Sequence, residues 1–201
     1  MSIIENALPF FGQVVLVALL LSVTLGSLNN VERKRSYLFV ILLAIGLFFP
    51  IYGLSFAEWL RSVIGDLSML TLIIFSDSLL RRLFKRSFLD VSSRNTLLLG
   101  VGILGLVFYP LALGLGSFDP YQFGFTPLIL PLVLGLISVY AWFAGKRIIA
   151  IILLLPLIAF NVQLLESVNL WDYLMDPILL MYALIQLAMQ WIKSYISSRD
   201  V

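Results

Sequence analysis

Seven long apolar runs alternate with short polar joints along this chain. The runs are Leu8–Leu28, Tyr37–Leu54, Ser62–Leu80, Leu97–Gly116, Pro127–Ala144, Ile148–Leu165 and Pro177–Ile192. Each approaches the roughly 20 apolar residues that an α-helix needs to cross a hydrocarbon core. The pattern predicts an all-α fold, a polytopic transmembrane bundle of seven spans, with residues 1–201 forming a single helical domain. The joints leave no room for a separately folded domain. The first run lacks a basic flank and a small-residue cleavage site, so it reads as a retained span rather than a signal peptide.

The joints also carry a direction. With the N-terminus outside, Arg33, Lys34 and Arg35 fall in the first cytoplasmic joint, and Arg81, Arg82, Lys85, Arg86 and Arg94 in the second. Lys146 and Arg147 fall in the third, and Lys193 and Arg199 in the C-terminal tail. Of the 13 Lys and Arg residues, only Arg61 then remains on the far side. Cations in short loops set orientation, which predicts an outside N-terminus and a cytoplasmic C-terminus in a bacterial inner membrane. Helix-start signals agree. Ser55-Phe56-Ala57-Glu58 fits a capping box, and Thr126-Pro127 and Asp176-Pro177 each set a capping side chain before proline.

Composition mainly excludes. The chain is 61% hydrophobic with a net charge of +2, and it contains neither Cys nor His. That removes thiolate chemistry, disulfides, the usual zinc and haem ligands and any histidine base. No phosphate-binding glycine loop is present, and the cations are sorted by topology rather than gathered for nucleic acid. No catalytic residue, metal site or cofactor is predicted. Carboxylate-bound Mg²⁺ or Ca²⁺ finds no supporting ligand spacing. Pro50, Pro110, Pro131 and Pro156 predict kinks. Gly100, Gly102 and Gly105, with Gly135 and Ser138, predict close helix packing rather than a substrate path. No internal repeat supports an inverted-repeat transporter.

Two polar constellations remain. In the third run, Ser62, Asp66, Met69, Ile73 and Asp77 recur at helical spacing and predict one polar face. Asp66 and Asp77 would lie about 16 Å apart along that helix. One reading is an ion or proton pathway through Asp66 and Asp77. The other pairs Asp77 with Arg81 at i+4 and Asp66 with Arg61 or a polar group on the last two spans. The outer joints are acidic and aromatic, with Glu58, Trp59, Asp119, Tyr121, Glu166, Trp171, Asp172, Tyr173 and Asp176 beside Arg61. Trp and Tyr there read as interfacial anchors, Asp176 as a cap and Asp119-Pro120 as a turn. Arg61, Asp66, Glu166 and Asp172 are the candidate ligand-binding residues, with Arg61 a phosphate contact or an ion-pair partner. Tyr182, Gln186 and Gln190 predict an interhelical polar seam, answered by Asn161 and Gln163.

Tyr52-Gly53-Leu54-Ser55-Phe56 and Gly65-Asp66-Leu67-Ser68 resemble fragments of the membrane region of bacterial sulfatase-like envelope transferases, the lipoteichoic acid synthase type. The resemblance covers about 25 residues and implies a membrane part related to envelope-polymer or lipid handling, without those enzymes' catalytic domain. The expected function is a non-enzymatic inner-membrane protein that supports envelope biogenesis through a membrane lipid or another envelope membrane protein. The alternatives are a small transporter or channel and a lipid-modifying enzyme with Arg61, Asp66, Glu166 and Asp172 at its site.

Overall fold

In the computed structural model, which describes residues 3–24, 33–126 and 128–199, the apolar runs are helical but the helices do not follow them one for one. The elements are α1 (Ile3–Thr24), α2 (Arg33–Leu47), β1 (Pro50–Ile51), β2 (Leu54–Ser55), α3 (Phe56–Ile64), α4 (Met69–Phe84) and α5 (Val91–Ala112). A 3-10 turn (Tyr121–Gly124) follows, then α6 (Ile129–Phe143), α7 (Arg147–Asn161), α8 (Leu170–Leu174) and α9 (Pro177–Ser197). The fold is all-α apart from one small hairpin.

Two of the expected spans are broken. The second run ends its helix at Leu47, and Pro50 opens the β1–β2 hairpin, in which Ile51 pairs with Leu54. Its two-residue turn holds Tyr52 at φ 52 and Gly53 at φ 86, the positive values that a tight hairpin turn requires. The third run is split between α3 and α4 by the extended segment Gly65–Ser68. Gly65 at φ 73 ends α3, and Ser68 caps α4 by accepting from Thr71 N. Asp66 and Asp77 therefore do not share one helical face.

Helix length also departs from seven full spans. Among the described residues, α5 alone is long and apolar enough to cross a membrane. The apolar stretches Pro9–Val23, Arg35–Leu47, Ile129–Phe143 and Arg147–Asn161 are shorter. Fifteen residues of helix reach about 22 Å, against about 30 Å of hydrocarbon.

The helices pack with apolar residues outward as well as inward. On α6, Leu136 is 61% exposed and Phe143 84% exposed. The fully enclosed positions include Gln13, Ser68, Thr71, Asp77, Ser78 and Asn169. α4 lies at the centre, against α1 on one side and α7, α8 and α9 on the other. Its Leu72, Ile74 and Phe75 share a core with Leu98, Val101, Leu179 and Ala183. α5 and α9 run antiparallel at close range, because Gly105 leaves room for Leu180 and Gly102 for Leu187. Gly100 and Gly135 face open space, so the expected packing role holds for only part of that set.

Candidate ligand-binding site

The site forms where α3 and the break at Gly65–Ser68 meet the loops between α5 and α6 and between α7 and α9. Ser55 starts α3 with the expected capping box. Its Oγ accepts from Glu58 N at 3.2 Å, and its own N donates to Glu58 Oε2 at 2.6 Å. Arg61 falls in the last turn of that helix. The reversal at Gly65, whose N–H donates to Arg61 O, brings Asp66 back under the guanidinium. Arg61 grips Asp66 with Nε at 2.5 Å and Nη2 at 3.0 Å, and the same Nη2 lies 2.9 Å from Glu166 Oε1. Hydrogen bonding to Asp66, ahead of Coulombic attraction, holds the Arg61 pKa above its ordinary value.

Asp176 organises the neighbouring side. It caps α9 through Leu179 N at 2.8 Å, as its Asp-Pro sequence predicts. Its other oxygen accepts from Ser68 N at 2.8 Å and from Thr71 Oγ1 at 2.5 Å. One carboxylate thus sits at the N-termini of α4 and α9 together, where the positive ends of both helix dipoles favour its charge. The Thr126-Pro127 cap is not formed in the same way. Thr126 Oγ1 donates to Phe123 O, and α6 opens after Leu128 without a side-chain cap. Pro127 itself lies outside the described residues.

The wall opposite is an aromatic loop. Trp171 Nε1 donates to Pro120 O at 2.9 Å, and Asn169 Nδ2 donates to Tyr121 O at 3.0 Å. A Cβ on Gly124 would stand 1.7 Å from Asn169 Oδ1, so glycine alone lets the turn seat this closely. Asp119 Oδ1 accepts from Tyr121 N, the expected turn. Tyr121 OH donates to Asp172 Oδ2 at 3.0 Å, and Ser167 Oγ donates to the same oxygen. Burial, then the bond to Asp172, pushes the Tyr121 phenol up to about 12.

These groups enclose a cavity of about 480 Å³ lined by Asp66, Asp172 and Asp176 and by Phe108, Tyr109, Tyr121 and Trp171. A second hollow of about 330 Å³ adjoins it, lined by Glu58, Arg61, Asp66 and Glu166. The four candidate residues are therefore brought together, with Asp66 common to both spaces. Of the two roles expected of Arg61, the structure shows the ion pair. Two carboxylates already clasp it, which leaves a surplus of negative charge and aromatic faces toward the cavity. Such a lining suits a cation, above all an ammonium group against Tyr and Trp, rather than a phosphate. Among the described residues, no three carboxylates converge closely enough to hold a metal ion.

The expected pathway partner lies elsewhere. Asp77 is fully buried, and its Oδ1 accepts from Ser87 Oγ, Phe88 N and Leu89 N at 2.8–3.0 Å. It closes the turn after α4 instead of pairing with Arg81, because Lys85 adopts the left-handed conformation at the end of α4 and folds the chain back over it. Asp77 does not line the cavity that Asp66 lines. Arg94, expected in a solvated joint, is 5% exposed inside α5 and donates to Ser78 Oγ and Tyr182 OH. Tyr182 thus belongs to the expected seam, and Gln190 Nε2 reaches Asn95. Asn161 instead bonds its own helix at Leu157 O.

Tyr109, Ser68, Thr71 and Ser167 escaped the sequence reading. Ser68, three residues before Thr71, carried a readable helix-start signal, which would have marked the break at Gly65–Ser68. Tyr109 carried none, since aromatic residues at that depth read as packing. Searches of protein-family models, of curated proteins and of solved structures find no match for this chain.

Proposed function

We propose that this chain is a multi-pass protein of a bacterial inner membrane, with its N-terminus outside, that serves envelope biogenesis by binding an ammonium-bearing lipid headgroup at its acidic end. The observation that carries this reading is the cavity between Asp66, Asp172 and Asp176, walled by Tyr109, Tyr121 and Trp171, whose nearest cation is already clasped. The membrane setting draws support from the inverted distribution of polarity, because enclosed polar groups beneath an exposed apolar surface suit a hydrocarbon surround. Seven crossings remain part of the proposal. The shorter helices would cross with help from their flanking turns and local bilayer thinning. The envelope role rests on the transferase resemblance, and action by binding rather than turnover rests on the absence of Cys and His.

Native mass spectrometry of the detergent-solubilised protein tests this reading. Short-chain phosphatidylethanolamine should be retained over phosphatidylglycerol, and Asp172→Asn should abolish the preference. Equal retention of both lipids, or a preference untouched by Asp172→Asn, would refute the binding role. Proton flux in proteoliposomes that is lost in Asp66→Asn would favour the transporter instead.

A further inference from the structure

The α6–α7 hairpin carries a second, unrelated site at the opposite, basic end. Between the two helices lies a groove of about 350 Å³ lined by Gly135, Ser138, Val139 and Trp142 from α6 and by Ala150, Ile151 and Leu154 from α7. Arg147 stands at i, with Ala150, Ile151 and Leu154 at i+3, i+4 and i+7, so it shares the helix face that lines the groove. Its guanidinium lies 5.6 Å from the centre of the Trp142 ring, which fixes the charge at the end of the groove. Lys146 is alongside, its Nζ donating to the neutral Thr96 hydroxyl at 3.0 Å. Neither cation meets a carboxylate among the described residues.

Ser138 contributes to the wall, but at 3% exposure its Oγ is sealed behind that wall and the surface offered by the groove is apolar throughout. The order along the groove is thus a cation and then an apolar trough.

We infer that this groove holds one acyl chain of an anionic phospholipid from the surrounding bilayer, with the phosphate on Arg147 and Lys146. The inference rests on the membrane reading above but not on the acidic cavity. Charge selects the class: the uncompensated cations suit a phosphate bearing net negative charge, and the apolar trough beyond them suits a hydrocarbon chain. The acidic end would therefore take an amine-bearing lipid while the basic end takes an anionic one.

Photo-crosslinking in vesicles tests the site. Full-length protein is reconstituted into neutral phosphatidylcholine containing a minority of a diazirine-acyl lipid, either phosphatidylglycerol or phosphatidylcholine, and adducts are mapped by mass spectrometry. Phosphatidylglycerol adducts should concentrate on the groove residues. Arg147→Gln should lower them roughly fivefold, as expected for one cation near a lipid surface, and leave phosphatidylcholine adducts unchanged. Gly135→Leu should block labelling by both lipids, and a Cβ there meets nothing within 4 Å, so the fold is spared. Equal labelling by the two lipids, or indifference to Gly135→Leu, would overturn the inference. Flotation of the vesicles separates the two failures. Protein that floats without selective labelling defeats the site alone, whereas protein left in the aqueous fraction defeats the membrane reading and the site with it.

Discussion

Arg61 with Asp66 and Arg94 with Asp77 are two arginine–aspartate sets that this fold treats in opposite ways. Arg61 and Asp66 bond each other directly at the border of two hollows, with the largely exposed Glu166 sharing the guanidinium. Arg94 and Asp77 are both buried, yet each is held by neutral partners, hydroxyls for one and backbone amides with a serine for the other. The first set borders space that a ligand can enter, so its charges can be shared with one. The second is closed in by α4, α5 and α9, so its charges hold the turn between α4 and α5 in place. A buried charge is evidence of function only where a cavity reaches it.

The sharpest way to break this contrast is Asp77→Ala. It strips the acceptor from three donors at once and should destabilise the protein by about 3 kcal/mol or more, read as a lowered unfolding temperature in detergent. Asp77→Asn keeps an acceptor oxygen and should lose less. Unfolding of Asp77→Ala at the wild-type temperature would show that the closed set is not structural.

Gly124→Ala probes the wall of the open site. Its Cβ collides with Asn169 and Trp171, so the turn must lift, at an expected cost of about 2 kcal/mol. Retention of phosphatidylethanolamine should fall as well. A variant that is destabilised but binds normally would detach the aromatic wall from recognition.

A smaller effect is expected from titration of Tyr121. Its folded value of about 12 lies above the ordinary value near 10, so burial of the neutral phenol, with the bond to Asp172, contributes stability that is fully present below pH 10 and lost as pH rises through about 12. An ultraviolet titration should show late-titrating phenols whose number falls by one in Tyr121→Phe and part of which moves down in Asp172→Asn. A late component of unchanged size in Tyr121→Phe would place the perturbed groups elsewhere.

Arg61→Gln should have the least effect on stability, about 0.5–1 kcal/mol, since the pair is partly exposed and screened. The loss should shrink further at high salt. A loss comparable to that of Asp77→Ala would erase the difference between the two sets.

Much of the acidic end was readable. Ser55 and Glu58 formed their box, Asp176 capped α9, and Arg61, Asp66, Glu166 and Asp172 came together. Capping and short-range charge pairing act over a few residues, so the local sequence carries them. The double use of Asp176 was not readable, because its second partners lie 105 and 108 residues away. Arg94 was misplaced for a similar reason: charge counting assigns a cation to a joint and cannot see hydroxyls on two other helices reaching for it.

Residue order alone settled the helical character, the apolar surplus and the absence of thiol and imidazole chemistry, since all of these are properties of composition and near neighbours. The three-dimensional fold decided where the helices break, which carboxylates face a cavity and which are sealed. Those outcomes depend on long-range contacts. Asp176 joins the starts of α4 and α9 only because the fold brings Ser68 and Thr71 to it from more than a hundred residues away. The aromatic wall stands only because Gly124 admits Asn169 and Trp171 from a segment more than forty residues further along the chain.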